Sequence, residues 1–152
     1  MIFDGDGQRV IKITLPGFYG RYARMKLSGI EMGPAKPLEY LDRLTLHNQL
    51  FEDDATVLGI VADKAGPRIA IAQPLVVGER PTTVQVVTFM AGLGFAPRLN
   101  ASAFWREEDR VAVFDAHAGN FLRGPSGQIF VIDVIPIGAD PLMASWMYDA
   151  ED

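Results

Sequence analysis

Two apolar runs, each closing on an aspartate, bracket a Gly-Asn step and a glycine-rich turn in the second half of the chain. The stretch reads Val111-Ala112-Val113-Phe114-Asp115, then Ala116-His117-Ala118-Gly119-Asn120 and Phe121-Leu122-Arg123. The turn Gly124-Pro125-Ser126-Gly127 follows, and then Gln128-Ile129-Phe130-Val131-Ile132-Asp133. Short apolar runs bounded by Gly, Pro, Asn and Asp predict strands and a hairpin. A four-residue loop over Gly124–Gly127 sets Arg123 opposite Gln128. The ladder then pairs Leu122 with Ile129, Phe121 with Phe130 and Asn120 with Val131. That register puts Asp133 on the face of Asn120, as a diagonal neighbour roughly 7–8 Å away. An amide and a carboxylate so placed offer oxygens to a hard cation such as Mg²⁺. This ion usually takes one or two carboxylates and completes its shell with water and phosphate. Aspartates at strand ends also commonly cap turns, so the same residues have a purely structural use.

The rest of the chain predicts an α+β organisation without repeats. Arg9-Val10-Ile11-Lys12-Ile13-Thr14 is a short strand carrying one lysine, and Asp6-Gly7 reads as the hairpin turn joining it to Ile2-Phe3. Residues 15–36 are rich in Gly and Pro and carry Arg21, Arg24 and Lys26. They are expected to form a solvated connector, part of it mobile. A helix is predicted over Pro37 to Glu52. Pro37 suits its first turn, and Tyr40, Leu44, His47 and Phe51 follow helical spacing. Glu39 lies in that first turn, where a carboxylate complements the helix dipole. Strands are expected at Thr56 to Ala62 and Arg68 to Val77, separated by the turn Asp63-Lys64-Ala65-Gly66-Pro67. A second helix, Pro81 to Leu93, presents Val84, Val87, Met90 and Ala91 on one face, and Gly92 and Gly94 end it. Ala103 to Arg106 and Arg110 to Phe114 form a hairpin through Glu107-Glu108-Asp109. The tail from Pro141 to Tyr148 is expected to pack Met143, Trp146, Met147 and Tyr148 on the body or on a partner chain.

Composition narrows the function classes. At 152 residues the chain is one domain with room for a real core. A net charge of −5 without a basic run argues against a general nucleic-acid binder. The absence of cysteine excludes a disulfide framework and suits the cytoplasm. The acidic start predicts no signal peptide. No apolar stretch nears the roughly 20 residues that span a bilayer, so no membrane partner is expected.

A lysine-bearing strand, a glutamate-bearing helix, two strands, Asp115-x-x-x-x-Asn120, a strand and Asp133 follow in an order that resembles the protein-kinase-like superfamily. The closer resemblance is to the small kinase-like domains of polyvalent proteins from phages and other mobile elements. It is carried by Arg9-Val10-Ile11-Lys12, Pro16-Gly17, Glu39-Tyr40-Leu41, Leu46-His47-Asn48, Ala72-Gln73-Pro74, Gly94-Phe95 and Asp115-Ala116-His117-Ala118-Gly119-Asn120. It implies a minimal or truncated protein-kinase-like fold. Residues 1–77 would form an N-lobe-like half, an antiparallel sheet with a helix, and residues 78–152 a reduced C-terminal lobe. It implies Asp115 as catalytic base, Asn120 and Asp133 as ligands of Mg²⁺, Lys12 as the phosphate contact of ATP and Glu39 as its partner. Gln73 and Leu75 would lie in the hinge that faces the adenine. His117 would brace the loop. No Gly-rich phosphate loop precedes Lys12, and Gly5-Asp6-Gly7 sits too close to the lysine for a strand to intervene. After Asp133 the chain reads Val134-Ile135 in place of Phe-Gly, with little room for an activation segment. Two functions stay open: ATP–Mg²⁺ binding with phosphotransferase activity, or a catalytically inactive binding or regulatory module acting through a protein partner or a second copy. A metal-dependent hydrolase using Asp115 and Asp133 is disfavoured, since neither histidine has a ligand-spaced partner.

Overall fold

A computed structural model describes residues 2–3 and 7–151 of the chain. It is a mixed α+β protein of antiparallel sheets with three α-helices among the described residues. The chain divides into two compact units. The first holds Met1–Tyr22 and Met32–Leu75, the second Ala23–Glu31 and Val76–Asp152.

In the first unit, β1 (Ile2–Phe3) pairs antiparallel with β2 (Arg9–Ile13), Ile2 opposite Ile11 and Phe3 opposite Val10. This is the hairpin expected there. Gly7 takes a positive φ of 71°, and Asp6 lies outside the described residues. The Gly- and Pro-rich stretch that follows corrects the expected connector. It holds β3 (Arg21–Lys26) paired with β4 (Gly29–Pro34), and Ala35 N–H donates to the Gly20 carbonyl at 2.9 Å. The glycines and prolines sit at the turn and the ends of this hairpin. Composition averaged over the stretch therefore hides the strands between them. The tip belongs to the second unit, where a Cβ on Gly29 would lie 3.6 Å from the Trp146 indole nitrogen.

Helix α1 (Pro37–Phe51) starts on a capping box in which Lys36 N–H donates to Glu39 Oε2 at 2.7 Å. Asn48 closes the turn beyond it, since its amide nitrogen donates to the Ala55 carbonyl at 2.8 Å and its oxygen accepts Ala55 N–H at 3.1 Å. The next strands are β5 (Thr56–Val61) and β6 (Arg68–Pro74), and the sheet order is β1-β2-β6-β5. Central β6 is buried from Ile69 to Gln73, as an uninterrupted apolar run suggests. Tyr40, Leu41 and Leu44 of α1 pack with Tyr19, Ala35, Ile69 and Ile71. Edge strand β5 carries a bulge between Val57 and Gly59.

In the second unit, α2 (Thr83–Gly92) is capped by Thr82, whose hydroxyl accepts Gln85 N–H at 3.2 Å while Gln85 Oε1 accepts Thr82 N–H at 2.9 Å. Its buried face is Val86 and Met90, whereas Val84 is 74 % exposed. The expected face is thus rotated. The Thr82 cap fixes where the helix starts, and an almost wholly apolar helix leaves its buried stripe to packing. The strands that follow are β7 (Ala96–Arg98), β8 (Ala103–Arg106), β9 (Val111–Phe114), β10 (Phe121–Arg123), β11 (Ile129–Val131) and β12 (Ile135–Gly138). One sheet has the order β12-β9-β8-β7, and β10 pairs with β11 in a second. Helix α3 (Pro141–Asp149) starts where Asp140 Oδ1 accepts Met143 N–H at 2.8 Å. It buries Met143 and Met147 and leaves Tyr148 62 % exposed.

The β8–β9 turn is held by a bidentate ion pair. Arg106 Nε donates to Asp109 Oδ1 at 2.9 Å and Nη2 to Oδ2 at 2.6 Å, while the guanidinium stacks 4.5 Å from the Phe95 ring centre. The Arg106 hydrogen bond pulls the Asp109 carboxyl below its ordinary range. A lowered folded-state value stabilises above the unfolded-state value and is lost as pH falls through the folded one. Asp109→Asn should therefore cost about 1 kcal/mol at neutral pH, discounted for exposure of the carboxylate. In denaturant melts across pH, its difference from wild type should close in acid. A constant difference would reject the ion pair as the cause.

Candidate functional site

The Asp115–Asn120 loop leaves β9 sharply. Asp115 has a positive φ of 53°, a conformation that aspartate tolerates better than most residues. Ala116 N–H donates to the Ser102 carbonyl at 2.9 Å and pins the exit. Ser102 itself follows Leu99, Asn100 and Ala101, three successive left-handed residues with φ of 54°, 54° and 57°. His117 then caps the short 3-10 turn Ala118–Asn120, its Nδ1 accepting Gly119 N–H at 3.2 Å. A side chain on Gly119 would meet the His117 ring at 3.0 Å, so the close ring needs glycine there. Asn120 turns back, and its amide nitrogen donates to the Asp115 carbonyl at 2.6 Å.

The hairpin corrects the expected register by one residue. Arg123 faces Ile129, Leu122 faces Phe130 and Phe121 faces Val131. The cause is Gly127, whose φ of 86° lets a shorter loop close. Gly124 N–H donates to the Gln128 carbonyl at 2.8 Å and Gly127 N–H to the Gly124 carbonyl at 2.9 Å. This is the three-residue loop with a glycine in the bulge position. The diagonal placement of Asn120 and Asp133 by strand parity therefore does not hold. Asn120 lies instead opposite Ile132, whose N–H donates to the Asn120 carbonyl at 2.9 Å. Asp133 is the next residue, exposed and in a bend outside the ladder.

Lys12, Glu39, Gln73 and Leu75 fall in the first unit, and Asp115, Asn120 and Asp133 in the second. Lys12 is half-buried on β2, opposite Ile71 of β6. Glu39 has a local use, since one of its oxygens closes the α1 capping box. The charge of Lys12 is felt by the Asp53 carboxylate. Burial pushes the Asp53 carboxyl up from its ordinary range, and a backbone hydrogen bond, Lys12 and Arg9 oppose that rise. Its Oδ2 lies 3.4 Å from Nδ1 of buried His47. Nothing in the local sequence marks Asp53, because the turn after α1 creates its neighbourhood. Gln73 is buried opposite Val10, and Leu75 N–H donates to the Gln8 carbonyl at 2.8 Å.

No group of three or more His, Asp or Glu side chains among the described residues could hold a metal ion. A cage made wholly of protein is therefore absent there. The Asn120 amide nitrogen is committed to the Asp115 carbonyl, which fixes the plane of its amide.

A family described as Serine/Threonine/Tyrosine Kinase found in polyvalent proteins matches residues 2–137. The chain belongs to that family. The match runs from β1 into β12 and takes in both units. No curated protein and no solved structure matches the chain. This polyvalent-protein kinase domain carries its Asp-x-His-x-Gly-Asn loop in the second unit and its lysine-bearing sheet in the first. Among its described residues no helix is long and apolar enough to cross a membrane.

Proposed function

We propose that this domain binds ATP with Mg²⁺ and transfers its terminal phosphoryl group. One observation carries the proposal: the bond from the Asn120 amide to the Asp115 carbonyl holds an amide oxygen and a carboxylate at one short loop. Phosphoryl transfer needs little covalent help from the protein and depends on positioning and charge neutralisation. Asn120 and Asp133 would hold Mg²⁺, which when bound neutralises charge on the phosphates. Asp115 would orient the hydroxyl that attacks. Lys12 would contact phosphate with Glu39 as its partner, and Asp53, which feels the charge of Lys12, would be a second carboxylate for it. Gln73 and Leu75 would line the adenine side. Family membership supports kinase-like chemistry in general.

The test is calorimetric titration of ATP with excess Mg²⁺, paired with thermal unfolding. Without a Gly-rich loop, a dissociation constant of about 10⁻⁴ M is expected, or about −5 kcal/mol. ATP at 100 times that value should add about 2.7 kcal/mol of stability. Asp133→Ala should abolish this gain, and equal binding by wild type and variant rejects the metal assignment.

Edge strand β5 favours the second function, an inactive module that works through a protein partner. Leu58 and Ile60 on it are 54 % and 73 % exposed, and Val57 and Val61 are exposed beside them. An apolar edge offers backbone groups and side chains to another strand. Failure of wild type to bind ATP at millimolar concentration would select this function.

A further inference from the structure

Four contacts surround the two ring nitrogens of His117 and the Asp115 beside them. Gly119 N–H donates to Nδ1 at 3.2 Å, so Nδ1 carries a lone pair. In the neutral ring the proton then sits on Nε2. Nε2 lies 3.3 Å from Oδ1 of Asp115. The Asn120 amide nitrogen donates one N–H to the Asp115 backbone carbonyl at 2.6 Å and lies 3.3 Å from the same Nε2, where its second N–H finds an acceptor only in the tautomer protonated on Nδ1. Two groups thus converge on one residue: the ring nitrogen stands within ion-pair distance of its carboxylate, and the amide donates to its carbonyl. Asp115 needs such restraint. It sits in a left-handed conformation, and its carboxylate and the His117 ring are both about half exposed (46 % and 53 %). A half-exposed carboxylate has several rotamers open to it.

We propose that His117 is a positioning residue, its Nε2–H fixing the Asp115 carboxylate for the attacking hydroxyl while Gly119 locks the tautomer. This role presupposes phosphoryl transfer with Asp115 as the base. Loop bracing alone would need only the bond to Gly119. The two roles use different ring nitrogens, so two amide side chains separate them. Glutamine carries an amide nitrogen near the position of Nε2 and can donate to Asp115. Asparagine carries its amide oxygen near Nδ1 and can accept from Gly119, but does not reach Asp115.

The experiment measures phosphate release from Mg–ATP, with water as acceptor, for wild type, Asp115→Asn and His117→Ala, His117→Asn and His117→Gln. Misplacing a reacting group by an ångström costs about 10²-fold. His117→Ala and His117→Asn should therefore lose about 10- to 100-fold in kcat, with KM for ATP changed less than about twofold. His117→Gln should return to within about threefold of wild type, since it restores the donor. Rescue by asparagine in place of glutamine would reduce His117 to a loop brace. So would a raised KM at unchanged kcat. Unfolding curves screen each variant. Nitrogen-detected NMR of the wild type gives a readout free of activity, and a neutral His117 protonated on Nδ1 overturns the proposal. Wild-type turnover no greater than that of Asp115→Asn would instead reject the phosphotransferase function, and this role with it.

Discussion

Phe121→Ala should lower the unfolding free energy by about 3–5 kcal/mol, the range for a large aromatic cut from a packed core. Phe121 has no exposed surface. Its ring meets Phe89 of α2 edge-on, with centroids 6.5 Å apart and planes at 75°, a favoured aromatic geometry. It is also the residue directly after Asn120 and opens β10. The cavity would therefore loosen the helix behind the loop and the strand that leaves it. Phe121→Leu keeps most of the volume and should cost roughly a third as much. Denaturant titration followed by tryptophan fluorescence measures both, with Trp105 and Trp146 in the same unit. A loss of less than about 1 kcal/mol in Phe121→Ala would mean that the ring is not part of the core that sets stability.

Asp115→Asn should cut turnover by about 10²- to 10⁴-fold, the usual contribution of a positioned acid or base. Asparagine is the informative substitution. It tolerates the left-handed backbone of position 115, whereas alanine at a φ of 53° adds strain of roughly 1–2 kcal/mol and confuses lost chemistry with lost structure. ATP affinity should stay within about twofold, because a group that orients the acceptor acts on the transition state more than on the bound nucleotide. This separates it from Asp133, whose loss should act on binding first. Single-turnover kinetics with titrated Mg–ATP resolves the two. A fall in affinity with unchanged turnover would move Asp115 from the base to the metal.

Much of this fold was legible in single residues. Pro37 and Glu39 mark the start of α1, and the glycines after Met90 mark the end of α2. Asp115 and Asn120 could be recognised as a pair because they lie in one local loop, where spacing is enough. Three things were not legible, each for a physical reason. The strands at 21–34 were not recognised because glycines and prolines fall at their ends, so that composition averaged over the stretch reads as a loop. The hairpin register turned on the left-handed backbone of Gly127, and the letters Gly-Pro-Ser-Gly fit a three-residue loop as well as a four-residue one. Asp53 meets the charge of Lys12 only through tertiary structure, since the two residues lie on separate elements.

The three-residue loop also restrains how the hairpin can diverge among relatives. Side chains in a strand alternate with period two, so a change of one residue in loop length reverses which of them face inward. Gly127 absorbs one residue as a bulge, and no other residue type takes its φ of 86° at so little cost. A lineage that replaces this glycine must alter the loop length as well, or carry Ile132 and Asp133 out of step with Asn120. Substitution at position 127 and insertion or deletion between 124 and 128 are therefore not independent events. The turn tip, ordinarily the part of a fold freest to drift in length, is here a ruler between the two ends of the candidate site.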